Sequence, residues 1–113
     1  MDHEELAAIG HALGDPMRAH ILQFLLGCCC PVGVTEDGAV ARMEGATAGQ
    51  ICCHVTGDEH INTRVSFHLK MLRKSGLIHV ERRGKFSVCS PNRDLLSKLA
   101  EFFERASEGS GCC

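Results

Sequence analysis

Residues 61–86, INTRVSFHLKMLRKSGLIHVERRGKF, constrain the fold more than any other stretch, because they read as one helix, one turn and one hairpin in immediate succession. Val65, Leu69 and Leu72 recur at i, i+4 and i+7 and form an apolar stripe, while Thr63, Phe67, Lys70 and Lys74 fall on the opposite face. One buried side and one cationic side are what a groove-entering helix requires. Gly76 suits a left-handed cap that stops this helix at Ser75-Gly76. A strand then begins at Leu77-Ile78-His79-Val80, turns at Arg82-Arg83-Gly84-Lys85 and returns through Phe86-Ser87-Val88-Cys89. The pattern predicts a helix-turn-helix followed by a wing.

Charge distribution points the same way, although the net charge of the chain is only −2. Between Ile61 and Ser90 the cations are Arg64, Lys70, Arg73, Lys74, Arg82, Arg83 and Lys85 and the only anion is Glu81, so this segment carries +6 and the remainder −8. That separation creates a local field that attracts phosphate and makes binding sensitive to salt. With no Trp or Tyr in the chain, single-strand binding by base stacking is disfavoured. Double-stranded DNA is the expected partner.

The rest of the chain is expected to support that unit. A first helix is predicted from about Glu4 to Leu13, and Gly14-Asp15-Pro16 ends it. Asp15 caps a second helix with Pro16 at its first position, where the missing N–H costs nothing, and Ile21, Leu22, Leu25 and Leu26 make it a core element. Residues Pro31 to Gly45 show no periodicity and are read as a surface loop longer than the usual connection. A third helix follows from about Thr47 to Val55, capped by Thr47, and Thr56-Gly57-Asp58 is the turn before a recognition helix capped by Asn62. A last helix from Asn92 to about Ala106 places Leu95, Leu96, Leu99, Phe102 and Phe103 on one broad apolar face. Together with the amphipathic first helix, this face predicts a homodimer whose two recognition helices meet successive major grooves.

The expected fold is therefore mostly α with a small β-hairpin wing, a dimeric winged helix-turn-helix, with residues 1–106 as one domain and 107–113 as a flexible tail ending in cysteine. No apolar run approaches the roughly 20 residues needed to cross a bilayer. The acidic start, MDHEELAAIGHALGD, is unlike a secretory signal, so the expected location is the cytoplasm with no membrane partner. On the recognition helix, Asn62, Thr63 and Ser66 are candidates for base-edge contact and Arg64 for phosphate or guanine. Phe67 is a candidate for contact with a thymine methyl, and Lys70, Lys74, Arg82, Arg83 and Lys85 for phosphates and the wing's approach to the minor groove. His68, flanking the apolar stripe, is expected to be packed and hydrogen-bonded rather than a base reader.

The eight cysteines are grouped: Cys28-Cys29-Cys30, Cys52-Cys53 and Cys112-Cys113, with Cys89 alone. Helical periodicity argues against a secreted disulfide scaffold, and the lack of any Cys-x-x-Cys pair removes the zinc-ribbon and thioredoxin-type patterns. Adjacent thiols suit a soft, thiophilic ion instead. A catalytic cysteine needs a base, an anion-binding loop or a resolving thiol at the right spacing, and none is evident, so the chain is not expected to be an enzyme.

At these motifs the chain resembles the ArsR/SmtB metalloregulatory repressors. Asp15-Pro16-Met17-Arg18 with Ile21-Leu22 is similar to the family's second-helix signature, DPxRxxIL. Ser66-Phe67-His68-Leu69-Lys70-Met71-Leu72 followed by Ser75-Gly76-Leu77-Ile78 resembles its recognition helix, SxHLKxLxxAGLI, and Arg82 to Lys85 fits its wing. The resemblance covers roughly Leu6 to Phe103. It implies a dimeric repressor that releases operator DNA when a metal or metalloid binds. The sensor departs from the family pattern: of the arsenic-type Cys-x-Cys-x-x-Cys on the third helix only Cys52 is matched, and the last helix holds no histidine for a zinc-type site. Trivalent arsenic or antimony takes three thiolates, so the expected ligands are drawn from Cys28, Cys29, Cys30, Cys52 and Cys53. Mercury, cadmium and zinc are alternative ions, with His54 or His60 as nitrogen donors. A second reading keeps the fold and makes the vicinal thiols an oxidant switch that forms a disulfide or sulfenic acid. Cys89 is expected to be core.

Overall fold

The computed structural model describes residues 1–27, 32–34, 40–42 and 45–109. The chain runs α1 (His3–Leu13), α2 (Pro16–Gly27), β1 (Val32–Val34), β2 (Val40–Arg42), β3 (Ala46–Thr47), α3 (Ala48–Thr56), α4 (Thr63–Lys74), β4 (Ile78–Arg83), β5 (Phe86–Pro91) and α5 (Arg93–Ser107). β4 and β5 form the expected hairpin, and β3 adds to its other side, giving an antiparallel sheet of order β3-β5-β4. Among the described residues, five helices and this three-stranded wing make a winged helix-turn-helix.

Local chemistry explains the boundaries. Asp2 caps α1 by accepting from the Glu5 N–H, and the Asp15 carboxylate accepts from the N–H groups of Met17 and Arg18 at the start of α2. Thr47 and Gln50 exchange hydrogen bonds in a capping box, so one residue both closes β3 and opens α3. Gly57, at φ +82°, ends α3 and sends the chain into the turn. At the end of α4, Leu77 N–H bonds to Leu72 O and Gly76 N–H to Arg73 O, with Gly76 at φ +85°: a Schellman motif in the position where the left-handed cap is predicted. Asn92 locks this turn to the last helix. Its amide donates to Gly76 O at 2.7 Å, its N–H to Leu77 O at 2.9 Å, and its side-chain oxygen accepts from Leu95 N–H at the start of α5.

The core lies where these elements meet. Ile9 and Ala12 of α1, Ile21, Leu22 and Leu25 of α2, Ile51 and Cys52 of α3, and Val65, Leu69 and Leu72 of α4 pack with Leu77, Ile78 and Cys89 of the wing region and with Leu95 and Leu99 of α5. The stripe predicted on α4 is the buried one. The outer face of α5 is less covered: Leu96 and Phe102 are half-buried and Phe103 is exposed.

Two expectations need correcting. The segment Pro31 to Gly45, read as an irregular loop, contains an antiparallel ribbon in which Val32 pairs with Arg42 and Val34 with Val40. Short β-branched Val-Gly-Val and Val-Ala-Arg alternations form strands once each supplies the other's hydrogen-bond partners, a signal too brief to register as periodicity. The third strand, β3, is also new, and its two residues pair Ala46 with Cys89 and Thr47 with Val88. The remainder of the expected loop, the Cys28-Cys29-Cys30 group and Cys112-Cys113 lie outside the described residues.

Gly45 sets the approach of β3 to β5. It is buried, its φ is +121°, and a Cβ there would collide with the carbonyl of Cys89. Gly45→Ala is expected to cost at least about 2 kcal/mol, from left-handed strain and a displaced strand. A lower urea midpoint with an unchanged slope is the readout, and a loss under about 0.5 kcal/mol would contradict the close approach.

Candidate nucleic-acid interface

On α4, the helix after the Gly57 turn, Thr63, Arg64, Ser66, Phe67, Lys70 and Lys74 are all exposed, on the side away from Val65, Leu69 and Leu72. Phe67 is 55% exposed, with its ring edge-on to that of His68 at 5.6 Å. Asn62 stands apart from these. It is half-buried, its oxygen caps α4 at Val65 N–H, and its amide donates to Asp58 at 2.9 Å. Its side chain thus sets where the helix starts.

The wing presents Arg82, Arg83 and Lys85 in solvent around its tip. Arg82 Nε donates to the Gly84 carbonyl at 3.3 Å, and Arg83 pairs with Glu81 at 3.2 Å, a contact between exposed groups that contributes little stability. Phe86, in register with Arg83, is 60% exposed and adds an apolar point to the cationic tip. Sequence reasoning had it only as a strand residue; its position at the first step after the turn was the available signal. Between helix and wing runs an open groove of about 390 Å³, with Ser66, Lys70 and Arg73 of α4 facing Val80 and Ser87 of the sheet. Helix and wing thus share one cationic face.

A buried clamp orients α4. Arg18, 8% exposed, donates from Nε to Ala12 O at 2.6 Å and from one terminal nitrogen to His11 O at 3.2 Å, both at the C-terminal end of α1. Its other terminal nitrogen lies 3.1 Å from His68 Nδ1 on α4. A guanidinium only donates, so Nδ1 is the acceptor and the His68 proton sits on Nε2, 3.9 Å from Asp15 Oδ1. Burial opposes ionisation of Asp15, but the N–H groups of Arg18 and Met17, with the Arg18 charge nearby, hold its carboxyl below the usual range. His68 is thus packed and hydrogen-bonded, as the sequence suggests. Arg18, visible there only as a motif letter, is what ties the α1–α2 corner to the DNA-facing helix.

The thiols divide. Cys52 is buried, its sulfur 3.4 Å from His60 O and 3.5 Å from Thr56 Oγ1, and Cys53 is exposed. Adjacent positions on a helix point about 100° apart, so the two sulfurs do not converge on one ion while α3 keeps this form. Cys89 is buried on β5, where burial pushes its thiol up to about 11. No group of three or more metal-ligating side chains occurs among the described residues.

The fold and this surface define a winged helix-turn-helix protein. A family model described as "Helix-turn-helix domain" matches residues 13–81, more than half of the chain, and the chain belongs to that family. Solved structures share the fold. An ArsR family transcriptional regulator superposes with a TM-score of 0.65 at 19% identity, over 92% of this chain and 93% of that one. The homodimeric winged helix-turn-helix DNA-binding domain of a possible ArsR-family regulator from Mycobacterium bovis gives 0.61 at 18% identity, over 95% and 82%. The transcriptional repressor BigR from Xylella fastidiosa gives 0.56 at 17% identity, over 97% and 90%. No curated protein sequence matches the chain significantly. No helix among the described residues is long and apolar enough to cross a membrane.

Two outcomes follow from this geometry. Arg18→Met removes the donor to the buried Ala12 carbonyl and to the His68 ring nitrogen, and is expected to cost about 2–4 kcal/mol in urea unfolding; a loss near zero would show that α4 is oriented by packing alone. Native-state alkylation followed by peptide mapping is expected to label Cys53 well before Cys52 or Cys89, and equal rates at all three would contradict the burial of the latter two.

Proposed function

We propose that the chain is an ArsR-type transcriptional repressor that binds double-stranded operator DNA as a homodimer and is released when trivalent arsenic or antimony is captured by cysteine thiolates, with mercury, cadmium and zinc as alternative effectors. The observation that carries this reading is the shared cationic face of α4 and the wing. In the complex, Thr63, Ser66 and Phe67 meet base edges, Arg64 reaches phosphate or guanine, and Lys70, Lys74, Arg82, Arg83 and Lys85 meet phosphates. Asn62 contributes by fixing the start of the helix that presents them. The apolar outer face of α5, ending at the exposed Phe103, supports pairing with a second copy. The proposed place of action is the cytoplasm.

Effector capture draws on Cys28, Cys29, Cys30, Cys52 and Cys53. Cys53 is the accessible entry point on α3, and recruiting Cys52 to the same ion requires the end of α3 to rewind, which moves the turn that sets α4. An effector whose binding favours that altered form weakens DNA affinity in proportion: about 1–3 kcal/mol of coupling gives roughly 5- to 150-fold. Exposure of Cys53 also favours the second reading, release by oxidation, marked by peroxide sensitivity in metal-free buffer that dithiothreitol reverses.

Retention of the chain's own upstream promoter fragment, measured against salt, tests both halves. The logarithm of affinity is expected to fall steeply with that of salt, and Lys70→Ala or Arg82→Ala, each removing one contact per protomer, to lower the slope by about two. Arsenite is then expected to release the fragment from the wild type but not from a variant with serine at positions 28–30, 52 and 53. Salt-insensitive retention would sink the DNA reading, and indifference to every ion and to peroxide would sink the effector reading alone.

A further inference from the structure

A second cluster lies outside both the cationic face and the thiol groups. His20 of α2 and His54 of α3 approach with ring centroids 5.3 Å apart and planes at 63°. Phe24, one turn beyond His20, stacks on His54 at 4.1 Å and 22°. Both histidines are exposed, and they open onto a pocket of about 300 Å³ lined by His20, Gln23, Phe24, Gly27 and His54.

We propose that His20 and His54 form a two-imidazole site for a divalent first-row transition ion of the zinc type. An ion about 2.0–2.1 Å from a ring nitrogen lies about 3.2 Å from the centroid of that ring, so two imidazoles on a tetrahedral ion have centroids about 5 Å apart. The observed separation already matches that value, and only rotation of two exposed rings is needed to aim their nitrogens at a common point. The pocket has room for the ion and the waters that complete its shell, and Gln23 places a side-chain amide at the rim. Among the described residues no carboxylate lines it, which disfavours calcium and magnesium, and no lysine or arginine lines it to repel a cation. Nitrogen donors without thiolate suit zinc, nickel and copper(II). Because the two ligands come from different helices, the ion would staple α3, the helix before the recognition helix, to the core helix α2. The site stands independently of the thiol effector reading.

The test is a titration of the full chain, reduced, with zinc chloride, read at the imidazole nitrogens by long-range proton–nitrogen NMR, where zinc held by thiols alone does not register. Signals of His20 and His54 are expected to shift together and saturate at the same added zinc. In His20→Gln the shift of His54 is expected to vanish with the backbone spectrum otherwise unchanged, and in Cys53→Ser it is expected to persist. Absence of a shift, persistence of the His54 shift in His20→Gln, or its loss in Cys53→Ser would each overturn the site.

Discussion

Everything the recognition helix does depends on how it is held, and the Arg18 clamp holds it. A buried guanidinium is tolerated only when its donors are satisfied, and here the partners are two carbonyls at the end of α1 and one ring nitrogen on α4. α1 thereby gains a donor for carbonyls at its C-terminal end, and α4 gains a directional contact that an apolar stripe alone does not provide. Val65, Leu69 and Leu72 bury one side of α4. The Arg18 contact with His68 adds a directional tie on that same side.

The wing is held by a different means. Its hairpin pairs six residues with six, and β3 then anchors the returning strand through Gly45, whose missing side chain admits the Cys89 carbonyl. Asn92 completes the frame by joining the turn after α4 to the start of α5. Helix, wing and last helix are therefore one mechanical unit. At the end of α3, Cys52 bonds back to the His60 carbonyl across the turn that leads into the recognition helix.

Much of this was legible beforehand. Caps at Asp15, Thr47 and Asn62, the Gly76 stop and the 3.6-residue stripe are local signals, each depending on a few neighbouring residues, and all appear where the sequence places them. The ribbon at residues 32–42 and strand β3 were not, because a two- or three-residue strand has no period of its own and exists only through its partner. The thiols show the same division. Grouping of Cys52 with Cys53 is visible in the sequence, but their opposite burial follows from which face of α3 meets the core.

Composition and pattern by themselves determined the class of fold, the cationic helix and wing, and the membership of the helix stripe, since hydrophobic periodicity, capping and local charge act over a few residues. Only the tertiary structure decided that Arg18 is a buried clamp rather than a surface charge and that His20 and His54 meet across two helices. Those outcomes rest on contacts between residues distant in the chain, such as the 50 positions separating Arg18 from His68, and no local signal encodes which pairs the packing of the core will bring together.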